Sequence, residues 1–385
     1  MAISRKLIFC AVILSLIVSG CSRKFKMPRE SLGRESNWQF HRSNIHSAGA
    51  TDGTFNGALN IIWEQETGTR PSGPLTLGKG YLIYPGSRKK IKFYDAGDGS
   101  YSGYVKTKGH TATGLVISDS LAYYVDGPRK NVLHCLNLLN RQSIWNAPVT
   151  DVAAGSIIFN NKLILGLTEG SITAYNIDTG EKEWSYKTKE RLMAPPCANQ
   201  KLLVQSGDKG TVFFINSENG IESAQVKLNE PILATAAIAD FIYLVDMPGN
   251  VYALKSDSGN IVWQSSVTGP VWSAPAVSRG IVCITSNSGE VNAFDSKTGQ
   301  LLWKYDAKEV IKSSPIIVGD FVLFGTMAGK LYSLKAAAGA LVSKREFGGA
   351  ISQSPISNGQ FIYVATDSGE LVCLGDSREV ACSAK

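Results

Sequence analysis

The chain has 385 residues, 44% of them hydrophobic and 18% charged, a balance that suits a folded core and excludes disordered and collagen-like classes. The formal charge is +7; without residues 1–20, which carry Arg5 and Lys6 and no acid, 37 basic residues face 32 acidic ones, a surplus of +5. So small and scattered a surplus leaves no footprint for nucleic acid.

In chain order, residues 1–20 read as a secretory signal peptide. Arg5 and Lys6 form its charged start, and Leu7 to Ser19 is an apolar run of 13 residues. A membrane-spanning helix needs about 20. The run ends in Val18-Ser19-Gly20-Cys21, an aliphatic residue, two small ones and a cysteine, which resembles the bacterial lipobox. That resemblance implies cleavage before Cys21 and a diacylglycerol on its thiol. It also implies export to the outer membrane, since Ser22 rather than aspartate follows. Residues 21–37 are then expected to be the lipidated cysteine and a flexible tether. Residues 22–36 are polar, basic and without periodicity, and would reach about 50 Å fully extended.

Residues 38–385 read as one repeat domain. Gly170-Ser-Ile-Thr-Ala174 with Gly180 and Trp184, Gly249-Asn-Val-Tyr-Ala253 with Gly259 and Trp263, and Gly289-Glu-Val-Asn-Ala293 with Gly299 and Trp303 share one pattern. Weaker copies begin at Lys90, Lys130, Gly210, Gly329 and Gly369, so the eight starts step by 39 or 40 residues. Each copy parses as four short strands, which predicts an all-β, eight-bladed β-propeller of four-stranded antiparallel blades. The last copy lacks its tryptophan strand, whereas Ala58 to Glu66 is a lone copy of that strand. The N-terminal strand is therefore expected to complete the eighth blade and close the ring. Trp63, Trp145, Trp184, Trp263 and Trp303 hold one position in five blades, with Gly103, Ala224 and Ser343 at the same place elsewhere. One large ring per blade at a fixed position predicts blade docking rather than ligand stacking.

The motif Ala-x-Asp-x-x-Thr-Gly-x-x-x-Trp, intact from Ala293 to Trp303, resembles the pyrroloquinoline-quinone-type propeller repeat. Together with the lipobox, the eight copies and the lead-in Trp38-Gln-Phe-His-Arg, it is similar to the BamB family of outer-membrane lipoproteins. The resemblance implies a non-enzymatic, periplasm-facing scaffold whose partners are the membrane, through Cys21, and an envelope protein complex, the β-barrel assembly machine. It also implies a contact loop after the third tryptophan repeat. The corresponding stretch, Ser185 to Pro195, departs from the family in being short, with Arg191 its one arginine and no Leu-Arg-Gly sequence. Arg191, Leu192 and Met193 there, and Trp272 before Ser273-Ala-Pro275, break the repeat where loops enter the inner strands. They are the candidate partner-binding residues.

Signals for chemistry are weak. No Cys-Cys pair occurs, and neither a catalytic constellation, a cofactor site nor a metal site can be assembled. Asp95-Ala-Gly-Asp98-Gly99 lacks calcium-loop spacing and reads as a repeat turn. His41, His46, His110 and His134 have no partners at zinc spacing. Cys135, Cys283 and Cys373 fall at packing positions, and whether Cys373 pairs with Cys382 is open. The remaining alternative is an envelope propeller that binds another complex or another ligand, a small molecule or glycan.

Overall fold

The computed structural model describes residues 24–34, 38, 42–109, 111, 114–127, 131–199 and 201–376. The signal peptide, Cys21, His41, His110 and Cys382 lie outside the described residues.

Eight antiparallel sheets form the blades. Blade 1 is Thr76–Gly78, Tyr81–Gly86, Lys90–Asp95 and Tyr101–Lys106, from inner to outer strand. Blades 2 to 7 repeat that order and end on the outer strands Ser143–Pro148, Lys182–Lys187, Glu222–Lys227, Ile261–Ser266, Leu301–Asp306 and Leu341–Glu346. Blade 8 takes Ile356–Ser357, Ile362–Ala365 and Glu370–Gly375 from the C-terminal end, and its outer strand is Asn60–Glu66. Trp63 sits opposite Cys373 in that closing pair. The ring thus closes with the N-terminal strand as its clasp, and no blade is left with an incomplete sheet.

The short strands follow from the local sequence. Asp95, Asn137, Asn176, Asn216 and Asp295 each accept, on the side-chain oxygen, the amide two residues on. That Asx turn reverses the chain between the third and outer strands, and it is what the Asp95 to Gly99 stretch is. A β-bulge recurs beside the tryptophan position in all eight outer pairs, for instance between Ala293 and Phe294 against Trp303.

The core lies between blades rather than inside any one of them. Val282, Ile284 and Phe294 of blade 6 pack with Tyr243, Val251 and Trp263 of blade 5, and the same kind of cluster recurs at other blade junctions. In five gaps the tryptophan of one blade lies over the turn of the next. The indole nitrogens of Trp63, Trp145, Trp184, Trp263 and Trp303 donate to the carbonyls of Ala96, Ile177, Ser217, Ser296 and Ala336 at 2.7–3.2 Å. The ring presses so close to the turn that a Cβ on Gly299 would lie 2.6 Å from Trp263. Gly299 also has φ near 71°, so the position excludes a side chain twice over.

Blade 1 has Gly103 where the ring should be, and here the expectation of a free tether is corrected. Residues 24–34 are docked on the propeller. Lys24 bridges Tyr104 in parallel along the outer strand, and the Phe25 amide donates to the Tyr104 carbonyl at 2.8 Å. The Phe25 ring, 1% exposed, stacks on Phe93 at 3.8 Å and meets Tyr81 edge-on. Phe93 is the residue opposite Gly103. The Met27 amide donates at 2.8 Å to the carbonyl of Leu138, the turn carbonyl that an indole would have bonded. A 3-10 turn, Arg29–Gly33, follows, and Arg34 pairs with Asp95 at 3.1 Å. Polarity misled the reading, because the two apolar residues, Phe25 and Met27, are the ones that anchor the segment.

Candidate functional site

A propeller has two rims. The loops that lead from one blade's outer strand into the next blade's inner strand share one rim with the turns between second and third strands. The remaining turns form the other rim.

The second rim is closed at the axis by the lead-in. Inner strands of successive blades donate to it in order: Ala198 to Ile45, Ile238 to His46, Val277 to Ala48 and Ile317 to Gly49, at 2.7–2.9 Å. Ala50–Thr51 then runs parallel to Ile316–Val318 as an added strand. Arg42 reaches inward from this ring and is fully buried. Its guanidinium donates to the Pro315 carbonyl at 3.0 Å and to the Pro275 and Ala274 carbonyls at 2.7 and 3.4 Å. Burial pulls its pKa down to about 9, with nearby Cys283 a smaller opposing influence. Gly49 is required beside it, since a Cβ there would sit 2.0 Å from Arg42 Nη2. The inner strands therefore do not line an open funnel at this rim; the lead-in occupies it.

The first rim carries the candidates from the sequence. Met193 and Trp272 are 39% and 49% exposed, and Arg191, two residues before Met193, is exposed as well. Lys312, one blade on, places its ammonium 5.3 Å from the centre of the Trp272 ring. Leu192 is different: it is 0% exposed, in the same slot as Ile232, Val271, Ile311 and Ile351, and bridges Gly207. Its expected partner contact is corrected, because the repeat needs an apolar plug there and Leu192 supplies it. Met247 and Val310 are exposed on the same rim, at 37% and 45%. Sequence reasoning missed both, as each lies in an ordinary-looking turn and only the ring places them on one rim with Met193 and Trp272.

The loop holding Arg191 is rigid. Arg191 and Asp208 exchange two bonds, amide to carboxylate at 3.0 Å and amide to carbonyl at 2.9 Å. Below it Glu190 accepts from the Lys209 and Thr211 amides at 3.0 and 3.2 Å, from the Thr211 hydroxyl, and from Lys227 at 3.1 Å. Burial opposes its charge, but the bonds from Thr211, Lys227 and Lys209 together hold the carboxyl below its ordinary value. Arg191 and Met193 are thus presented on a fixed platform, as a binding surface requires.

Elsewhere, Glu64, Glu66 and Glu370 converge within 4.8 Å on the outer side of blade 8, an exposed acidic cluster that the sequence did not suggest. His134 Nε2 lies 3.0 Å from Asp126, and its ring stacks on Tyr124. Cys135, Cys197, Cys283 and Cys373 are free, buried thiols.

The family model for outer membrane protein assembly factor BamB matches residues 129–236 and 222–381, well over half of the chain. The chain belongs to the BamB family. BamB of Bordetella pertussis is 24% identical over 166 residues, 38% of this chain and 42% of that protein. BamB of Shewanella oneidensis is 23% identical over 164 residues, 36% of this chain and 39% of that protein. The chain thus matches about two-fifths of the length of these curated relatives. The BamB structure from Moraxella catarrhalis superposes with a TM-score of 0.73 at 18% identity, covering 83% of this chain and 100% of that one. A quinohemoprotein alcohol dehydrogenase from Comamonas testosteroni reaches 0.75 at 12% identity, covering 90% and 81%. At such identities both structures speak to the propeller fold alone. The BamB family match includes the leading loops of blades 4 to 7, and hence Arg191, Met193, Trp272 and Val310.

Proposed function

We propose that this protein is a lipid-anchored scaffold of the cell envelope that binds a protein of the outer-membrane β-barrel assembly machinery through its leading-loop rim, and that it is not an enzyme. In this reading residues 1–20 are the signal peptide, Cys21 carries the lipid, and residues 38–385 form the propeller facing the periplasm at the outer membrane. The observation that carries it is the set of exposed residues Arg191, Met193, Met247, Trp272 and Val310 on one rim of adjacent blades. Exposed tryptophan, methionine and arginine are the residue types enriched where proteins meet. The relatives are outer membrane protein assembly factors, and this supports the class of partner.

The test is co-purification from detergent-solubilised membranes. The wild-type chain should bring down a subunit of the β-barrel assembly machinery. Arg191→Glu and Trp272→Ala should each reduce that recovery at least tenfold, about 1.4 kcal/mol in binding, with an unchanged melting temperature. Full recovery with both variants, or no assembly subunit with wild type, would sink the reading. A small-ligand role has one observation in its favour, a cleft of about 490 Å³ on the opposite rim lined by His46, Asn199, Lys201 and Asp257 among others. Lys201→Ala should leave partner recovery unaltered if the leading-loop rim is the site.

A further inference from the structure

The docked N-terminal segment leaves very little chain between the lipid and the propeller. Lys24, Phe25 and Met27 are fixed in the groove between blades 1 and 2, so only Ser22 and Arg23 separate Cys21 from a bonded residue. Three residue steps reach about 10 Å at full extension. A lipid on Cys21 would therefore be held beside this one edge of the ring, not on a leash that lets the molecule tumble.

We infer that the outer edge of blades 1 and 2 is the membrane-facing surface of the propeller, held by this short connection against anionic phospholipid headgroups. The inference rests on the lipidation of Cys21 proposed above. The edge has the right chemistry. Lys24, Lys26, Lys106 and Arg141 are exposed there. Lys24, Lys106 and Arg141 line a shallow cleft of about 170 Å³ with Phe25, Tyr104, Val105, Tyr124 and Leu136, and no acidic residue among those described lines it. Lys90 adds a further cation, 4.3 Å above the Tyr104 ring. A lipid anchor gains from a second, electrostatic attachment, and cations within a Debye length of an anionic leaflet supply it.

The ring converts this edge into an orientation. In a circle of eight blades, blades 5 and 6 stand opposite blades 1 and 2. With blades 1 and 2 on the membrane the propeller stands edge-on, and the part of the leading-loop rim bearing Met247 and Trp272 lies on the half facing away from the lipid. A partner reaching the rim from the aqueous side then meets no obstruction from headgroups.

The test uses the full-length lipidated chain with Cys382→Ser, reconstituted in vesicles of phosphatidylethanolamine with a minor share of phosphatidylglycerol. A single labelling site is introduced as Lys106→Cys on the outer strand of blade 1 or Gln264→Cys on that of blade 5, the described native thiols being buried. Quenching of the attached fluorophore by a headgroup nitroxide is expected to be several-fold stronger at position 106 than at 264. Equal quenching in a sample whose mass shows the diacylglycerol overturns the orientation and leaves the anchor standing. A mature chain without the diacylglycerol overturns the anchor itself. A long Gly-Ser linker inserted between Ser22 and Arg23 leaves lipid and propeller intact and is expected to abolish the contrast. Retention of the contrast in that variant overturns the claim that the short connection holds this edge to the membrane.

Discussion

Two kinds of blade gap solve one packing problem differently. Between blades 6 and 7, Trp303 covers Gly339 and donates its indole hydrogen to Ala336 at 2.7 Å. Between blades 1 and 2 there is no tryptophan, and Phe25 and Met27 supply the ring, the apolar filling and the donor from a distant part of the chain. The turn residue changes with the wedge. Gly339 would carry a Cβ 2.5 Å from the Trp303 ring, whereas its counterpart, Arg141, keeps the same left-handed turn at φ near 65° with a full side chain. The glycine of the repeat is thus required by the indole above it as much as by the turn. In both gaps a wedge and an N–H donor meet the turn, and they come from different parts of the chain.

Removing the clasp is the severest way to break this comparison. Deleting residues 58–67 takes away the outer strand of blade 8 and the Trp63 wedge, exposing the edge of Glu370–Gly375. The expected outcome is loss of a cooperative urea transition, while deletion of residues 22–34 leaves the transition cooperative. Equal transitions for the two deletions would contradict closure as the main source of stability.

Trp303→Ala should cost roughly 3–5 kcal/mol, the range for truncating a buried aromatic side chain. It leaves a void that no neighbouring segment is placed to fill, and removes the donor to Ala336. Equilibrium urea unfolding measures it.

Phe25→Ala should cost less, roughly 1–3 kcal/mol, although Phe25 is as fully buried as any core phenylalanine. A segment near the chain end can detach instead of leaving a cavity, and the free energy of detachment caps the loss. The sharper version replaces the surrogate with the repeat solution. Adding Phe93→Ala, Gly103→Trp and Arg141→Gly to Phe25→Ala restores the alanine, tryptophan and glycine set seen at Ala293, Trp303 and Gly339, and should recover part of the lost stability, less the strain of moving position 103 from its φ near 133°. No recovery would mean that the two gaps are not equivalent.

The smallest effect concerns polar rather than apolar support. Glu190 is held below its ordinary pKa of 4.5 in the folded chain. Its contribution is therefore fully present above that pH and lost as pH falls through the lower folded value. Glu190→Gln should lower the urea midpoint at neutral pH, and the gap between wild type and variant should narrow below pH 4.5. A gap that is constant with pH would show that the Glu190 charge contributes nothing to the platform under Arg191.

The sequence by itself determined the architecture. Eight starts at one period, six of them glycine, a turn acid or amide in each strong copy, and a tryptophan strand found at the wrong end of the chain leave a closed eight-bladed ring as the consistent solution. These signals are local and repeated, so each copy corroborates the next. Tertiary structure decided everything that happens once per molecule. Phe25 and Met27 look like stray apolar residues in a basic stretch until Gly103 leaves a gap that they fit. Arg42 looks like a surface charge until the lead-in carries it into the axis. Leu192 and Met193 are adjacent and similar in character, yet one plugs a blade and the other faces solvent. Periodicity reports which side of a strand is buried. It carries no information on which distant segment fills a non-repeating gap, because that choice depends on shapes that exist only after the ring has closed.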